Sequence, residues 1–406
     1  MSDAGATADI LNFGGARGSN QTAVRAYNER LVLSIVRRHG SLAKVDIARS
    51  TGLSAQTVSV IMRALENDGL LLRGTPKKGR VGQPSVPMSL NPNGAYSIGL
   101  KIGRRSADMV LMDFTGNIRM QLHETFAYPS PVGILNFVKT RIGQLTAGLS
   151  DNQLKRVAGI GIAAPFELWN WADEAGASQT ETDAWRNFDL QSEVSEVVPF
   201  PVFMENDATS ACGAELVFGL GTQYPDFVYF FVGSFIGGGV VINSSLFKGR
   251  TGTAGAIGPI PVPDGKGKTK QLIEAASVYV LERKLRHLGI DPRPLWYTAD
   301  DWVDFGAPLD EWIDDTSDAL AHAIVSCVSV IDFGAAIIDG GFPPWVRKRI
   351  VDATRKSVGK LDLRGIIAPA IREGLVGSNA RAIGGASLPL FSRYLLDFNS
   401  FLKDTN

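Results

Sequence analysis

Apolar residues between positions 21 and 72 recur at helical spacing in three consecutive blocks. Leu31, Val32, Ile35 and Val36 predict a first helix from about Thr22 to His39, ended by Gly40. Ser41 reads as the cap of a second helix whose inner face is Leu42, Val45, Ile47 and Ala48. Thr51-Gly52-Leu53 is the turn, and Ser54 caps a third helix. Val58, Ile61, Met62 and Leu65 form the buried stripe of that helix. Gln56, Thr57 and Ser59 fall outside the stripe, near the helix start, and Asn67-Asp68-Gly69 closes it. Two short strands follow, around Leu70–Gly74 and Ser85–Leu90. The loop between them is basic and rich in Gly and Pro, as a wing would be.

Beyond Asn91-Pro92-Asn93-Gly94, which reads as a linker, the pattern changes. Strand-turn-strand units occur at Tyr96–Asp113 and again at Phe227–Phe247, and the recurrence predicts two related lobes. Further apolar strands are expected at Val157–Ala163, Pro201–Glu205 and Ala335–Asp339. Helical stretches such as Ala208–Phe218 and Ser277–Leu288 alternate with them. Such alternation means α/β lobes with a ligand cleft at the carboxyl ends of the strands. The division expected is a mobile tail at 1–20, a winged helix-turn-helix domain at 21–92 and a body at 93–406. Lobe 1 of the body spans about 93–213 plus a C-terminal helix at about 386–406, and lobe 2 spans about 214–385.

Charge sharpens this division. The chain of 406 residues is neutral overall, but residues 1–92 hold 3 Lys and 9 Arg against 4 Asp and 2 Glu, a net +6. A basic head on an acidic body suits a head that binds a polyanion. No apolar run is long enough to span a bilayer, and the first residues lack a secretion signal. Cys212 and Cys327 are isolated, which fits a reducing cytoplasm and supplies no metal cluster.

A helix-turn-helix reads base edges with the polar start of its recognition helix. Gln56, Thr57 and Ser59 occupy that place and can hydrogen-bond to bases. Lys44, Arg49 and Arg63 are candidate phosphate contacts, and Lys77, Lys78 and Arg80 put charge on the wing. The competing reading is a small helical bundle used for protein contact.

The chain also resembles regulators of the ROK family (repressor, open reading frame, kinase). The resemblance rests on GSNQTAVRAYNERLVL at the start, GRVGQP in the wing and GIGIAAP at 159–165. It rests further on MENDATSACGAE at 204–215 and SFIGGGVVINSSLFKGRTGTAGAIGPIPV at 234–262. It implies a two-lobed fold related to actin and to sugar kinases, with a sugar or sugar derivative as effector. By that resemblance Asn206 and Asp207 contact sugar hydroxyls, and in a kinase Asp207 would be the base. Asp207 could instead cap the helix beginning at Ala208. Glu274 matches a further sugar contact, or is a surface carboxylate.

Three departures from the family pattern stand out. The family's Asp-x-Gly-Gly-Thr-Lys phosphate loop is replaced by Lys101-Ile-Gly-Arg-Arg-Ser106, which puts Arg104 where a bare backbone should approach phosphate. The second phosphate turn survives in part, as Ser234 to Gly239. The family's Glu-x-Gly-His becomes Ala256-Ile257-Gly258-Pro259, followed by a loop without cysteine, so the usual zinc ligands are missing. Glu167, Trp169 and Asn170, in the aromatic run after GIGIAAP, offer a replacement sugar surface or else pack the lobe. The sequence thus reads as a cytoplasmic dimeric or tetrameric repressor without cofactor, on a palindromic double-stranded operator. A sugar kinase carrying a DNA-binding head is the alternative.

Overall fold

The structure is a computed structural model and describes residues 21–76, 86–165, 183–297, 302 and 305–396. The predicted tail, the wing residues Lys77, Lys78 and Arg80, and the candidate sugar contacts Glu167, Trp169 and Asn170 lie outside the described residues. Among the described residues no helix is long and apolar enough to cross a membrane.

The head contains α1 (Gln21–His39), β1 (Leu42–Ala43), α2 (Lys44–Thr51), α3 (Ala55–Asn67), β2 (Leu71–Arg73) and β3 (Pro87–Leu90). Ser54 caps α3, its hydroxyl accepting the Thr57 N–H at 3.1 Å. Gly52 ends α2 with a φ of 70°, a conformation that costs glycine nothing. Val58, Ile61, Met62 and Leu65 are buried together with Ile47. The second helix departs from expectation. Leu42 and Ala43 pair with Met88 and Pro87 of β3, so the backbone there is extended and α2 begins three residues after Ser41. Ala43 precedes the helix without a side-chain cap, and Val45, expected inside, is 65% exposed. Sheet pairing of Leu42 and Ala43 displaced the helix start that Ser41 would have capped.

The body is built on two five-stranded sheets of the same design. The first comprises β4 (Tyr96–Ile102), β5 (Ser106–Asp113), β6 (Ile118–Thr125), β7 (Val157–Ala164) and β8 (Val202–Asn206), in the order β6-β5-β4-β7-β8. The second comprises β9 (Phe227–Val232), β10 (Ile236–Ile242), β11 (Ser245–Phe247), β14 (Ala335–Gly340) and β15 (Ala370–Glu373), ordered β11-β10-β9-β14-β15. A separate hairpin joins β12 (Pro261–Pro263) to β13 (Thr269–Gln271). In each large sheet a three-stranded antiparallel meander meets two parallel strands. The recurrence in the sequence is therefore a recurrence of topology.

Helices α4 (Pro131–Thr146) and α5 (Leu190–Val197) cover one face of the first sheet through Ile134, Phe137, Val138 and Val194. Across the molecule, α8 (Ala307–Val330) and α9 (Pro344–Val358) cover one face of the second, after α7 (Val278–His287). Between the sheets run α6 (Asp207–Phe218) and α10 (Ala380–Arg393). α6 packs on the second sheet through Ala211, Cys212 and Ala214, and α10 packs on the first through Ala382, Ala386 and Leu390. The two meet backbone to backbone: a Cβ on Gly384 would lie 1.9 Å from the Ser210 carbonyl oxygen, and one on Gly161 of β7 would lie 1.8 Å from that of Gly385.

The head stands on this central layer. Arg30 of α1 donates to the carbonyl oxygens of Phe391 at 2.7 Å and Leu395 at 3.0 Å. The Leu396 N–H donates to the Ser34 hydroxyl at 2.9 Å. Apolar residues of α1, α3 and α10 belong to one continuous core, so head and body share buried surface.

Candidate functional site

Strand β8 runs directly into α6, and the junction places Asn206 and Asp207 at the carboxyl edge of the first sheet. Asn206, rather than Asp207, is the helix cap: its side-chain oxygen accepts the N–H groups of Ala208 at 3.0 Å and Thr209 at 3.2 Å. Asp207 turns one carboxylate oxygen to the Ala208 N–H at 2.9 Å and the other to Arg381 at 3.3 Å. Both residues line a cleft of about 400 Å³ between the lobes, together with Phe231, the Gly252–Pro259 loop and Gln271. Ala256 and Pro259, which replace the family's acid and histidine, face this same cleft. A small polyhydroxylated ligand suits it: polar groups converge at Asn206, Asp207 and Arg381, and aromatic surface is supplied by Phe231, Phe235 and Tyr128.

Arg381 carries no local signature in the sequence. It opens α10, 174 residues after Asp207, and its guanidinium lies 4.8 Å from the centre of the Phe231 ring. Pairing through the fold alone brings it to the site. Glu274 is placed differently from the residues of the cleft. Its carboxylate accepts the Gln271 N–H at 2.8 Å and the residue is exposed, while its neighbours Gln271 and Ile273 line the wall. Glu167, Trp169 and Asn170 follow Pro165, the last described residue of that segment, which does line the cleft.

The altered phosphate loop is the β4–β5 turn, Gly103-Arg104-Arg105. Both arginines are buried and cross to lobe 2, where they share Glu282 of α7. Arg105 binds one carboxylate oxygen at 2.7 Å and Arg104 the other at 3.4 Å, while Arg286 adds a third contact at 2.8 Å. Arg104 stands over the Phe235 ring and Arg105 over Trp296, at 5.6 and 5.2 Å from the ring centres. Burial lowers the Arg104 guanidinium to about 10, with Glu282 opposing the shift. A second hollow of about 470 Å³ lies beyond, and Gly103, Arg104, Ser234 and Arg381 line both spaces. Arg104 is therefore part of the partition between them.

Lys101, at the position of the family's loop acid, is tied down within its own sheet. It donates to Asp108 at 2.9 Å and to the Ser106 hydroxyl at 2.6 Å, while His123 contacts Asp108 at 2.6 Å. Burial lowers the Lys101 ammonium. Burial alone would raise Asp108, but the Lys101 charge and the His123 hydrogen bond outweigh it and hold the carboxyl well below its usual range. The glycines 237–239 belong to β10; Gly237 and Gly239 lie against α6, while Gly238 faces the Tyr229 carbonyl oxygen and Ile257. A Cβ on Gly237 would meet Ala208 at 2.7 Å, and one on Gly239 would meet Cys212 at 2.4 Å. Close packing, by α6 on two of them and by Tyr229 and Ile257 on the third, accounts for the run without a phosphate.

In the head, Gln56, Lys44, Arg49 and Arg63 are exposed, and Thr57 and Ser59 are half-buried at the start of α3. Arg49 also approaches Asp46 at 3.7 Å, and the Thr57 hydroxyl contacts that of Ser54 at 2.8 Å.

Residues 25–71 match a winged helix-turn-helix DNA-binding family, and residues 97–274 match the ROK family. Part of the body is thus similar to ROK-family proteins, behind a head similar to winged helix-turn-helix domains. The "Xylose repressor" of Bacillus spizizenii is 27% identical over 251 residues, 60% of this chain and 62% of that protein. The match thus spans less than two thirds of that relative. Among solved structures, a ROK family transcriptional regulator described as a homolog of the E. coli MLC protein superposes with a TM-score of 0.64. It covers 91% of this chain and 96% of that one at 18% identity. A ROK family glucokinase from Streptomyces griseus, solved with glucose and AMPPNP, superposes with a TM-score of 0.57 at 21% identity. It covers 72% of this chain and 99% of the kinase. Regulators and kinases thus share this fold, and fold alone does not choose between them.

Proposed function

We propose that this protein is a cytoplasmic transcriptional repressor of carbohydrate genes, and that a sugar or sugar derivative in the interlobe cleft controls its hold on DNA. The observation that carries this reading is the closed Arg104–Arg105–Glu282 bridge. It puts cationic side chains and a ring stack where the backbone of a sugar kinase must lie bare against phosphate. The similarity to a protein named xylose repressor and the basic helix-turn-helix head support the same assignment.

In this reading Asn206, Asp207 and Arg381 hold sugar hydroxyls, with Glu274 and the 167–170 segment at the margin. Gln56, Thr57 and Ser59 read bases. Lys44, Arg49 and Arg63, with Lys77, Lys78 and Arg80 of the wing, hold phosphates. Two copies of the chain, alone or paired again as a tetramer, set two heads on a palindromic operator. Sugar shifts the lobes about the α6–α10 layer, and the heads on α10 move with it. Coupling of this kind is on the order of 1–3 kcal/mol.

A gel-shift titration with operator DNA and a sugar panel tests the proposal. The expected result is at least one sugar that binds the body and weakens the DNA complex about 5- to 150-fold. Operator affinity unchanged by every sugar that binds would overturn it. Sugar-dependent ATP turnover, abolished by Asp207→Asn, would establish the kinase alternative instead.

A further inference from the structure

The loop that joins β15 to α10 is held by two carboxylates from the interior. Four consecutive N–H groups of this loop turn inward. That of Gly374 donates to the Ile338 carbonyl oxygen at 2.8 Å. Those of Leu375 and Val376 donate to Glu215 of α6 at 3.0 and 3.3 Å. That of Gly377 donates to Asp339 of β14 at 2.8 Å. Glu215 and Asp339 are fully buried, and neither lines the cleft or the hollow beyond it. The fit is close. A Cβ on Gly374 would lie 2.6 Å from the Asp339 side chain, and Gly377 turns the chain with a φ of 77°.

Three observations give these acids a task beyond filling the core. The first is cost. A buried carboxylate is unfavourable unless it is paired and fully hydrogen-bonded. Arg347 pairs with Asp339 at 3.0 Å. Among the described residues, the hydrogen bonds of Glu215 all come from backbone N–H groups, those of Leu220, Leu375 and Val376. Burial pushes both carboxyls up. An apolar side chain at position 215 would avoid that cost but would leave the N–H groups of the loop without acceptors. The second is location. The loop leads straight into α10, whose first turn carries Arg381. Asn379 precedes α10 without a side-chain cap, its amide being bonded to Gln121 at the surface. The third is Arg381 itself. Among the described residues its one hydrogen bond, to Asp207, is 3.3 Å long, and its Nε is buried without a partner. The ring beneath it, Phe231, stands beside Asp339 in the register of β9 and β14. Side-chain contacts this sparse leave the backbone to set where the guanidinium lies.

We propose that Glu215 and Asp339 are positioning residues of the cleft: through the backbone of residues 374–377 they aim Arg381 at Asp207. That Arg381 meets a ligand rests on the proposed function, whereas its aiming by the two acids does not. Glu215 lies on α6, the helix that begins at Asp207, so one helix carries both Asp207 and the acid that places its partner.

The test uses the full chain without sugar and reads Arg381 directly. Phenylglyoxal modifies accessible arginines, and peptide mass spectrometry gives the rate at each. Exposed Arg63 is the internal reference, and buried Arg104 and Arg105 are the controls. Glu215→Gln keeps the length of the side chain but sets an amide donor against the N–H groups of the loop. It should raise the rate at Arg381 about tenfold or more, as expected for losing a hydrogen bond to a charged group. Rates at Arg104 and Arg105 should not move. Gly377→Ala strains the same loop from the chain side and leaves both acids in place. It should raise the rate at Arg381 about fivefold or more, and it decides the matter if Glu215→Gln does not fold. The proposal fails if Arg381 stays protected in either folded variant. It fails equally if Arg104 and Arg105 become reactive together with Arg381, which would mark a general loosening. Because no sugar is present, a chain that binds none would refute the proposed function and leave this result standing.

Discussion

The two lobes carry the same turn in two chemistries. In lobe 1 it is Ile102-Gly-Arg-Arg-Ser106 and in lobe 2 Val232-Gly-Ser-Phe-Ile236, each joining the first two strands of a sheet with the same strand order. The strand pair beside the turn differs as well. Lys101 faces Asp108 in lobe 1, where Phe231 faces Gly237 in lobe 2. The turns meet, Arg104 standing over Phe235. Central strands buried on both faces are common to the two sheets, while the turn residues differ. The turn of lobe 1 makes a charged joint with lobe 2.

Removing the shared anion should break that joint with the largest effect. Glu282→Ala leaves Arg104 and Arg105 buried without a carboxylate, and a loss of about 3–5 kcal/mol in stability is expected by chemical denaturation. Replacing all three residues with apolar side chains of similar volume should restore most of that loss. If Glu282→Ala costs under about 1 kcal/mol, the bridge does not hold the lobes.

The contrast between the charged and apolar strand pairs should appear in the acid limb of stability. Asp108 titrates lower in the folded chain than its unfolded value of about 3.9. Its contribution is therefore complete above that value and disappears as pH falls through it toward the folded one. Asp108→Asn should flatten this slope between about pH 5 and 2, read from denaturation curves at stepped pH. An unaltered slope would assign acid sensitivity to other carboxylates.

In the cleft, Asp207→Asn should weaken sugar binding about 10- to 100-fold, as a charge-assisted hydrogen bond is worth roughly 1.5–3 kcal/mol. Operator affinity without sugar should not move. A variant that lost both would mark Asp207 as part of the frame and not as a ligand contact.

The smallest effects belong to the head. Gln56→Ala should cost about 1–3 kcal/mol on the specific operator and little on random DNA. Arg63→Ala should weaken both and lower the salt dependence by about one ion. If Gln56→Ala weakened both equally, α3 would not read bases at that position.

The sequence was most legible where one period governs a whole element. The stripe Val58, Ile61, Met62 and Leu65 locates α3 and its exposed face, and the apolar run of β7 predicts a strand buried on both sides. It misled where a long-range pairing replaced a local rule: Ser41 has the chemistry of a cap, but β3 claimed the two residues after it. At the candidate site, Asn206 and Asp207 announce themselves by their place between strand and helix. Arg381 and Glu282 do not, because each meets its partner only across well over a hundred residues of intervening chain. The glycines of β10 were legible as a motif and ambiguous as to cause, since a helix and a phosphate both demand a missing side chain.

Arg30 and Ser34, near one end of the chain, find their partners at residues 391–396, near the other. During synthesis Arg30 is made 361 residues ahead of Phe391, so α1 is seated only after that stretch has emerged. A product cut short before Phe391 would carry α1 to α3 yet lack their footing. Seating of the head is in that sense coupled to the synthesis of residues 391–396.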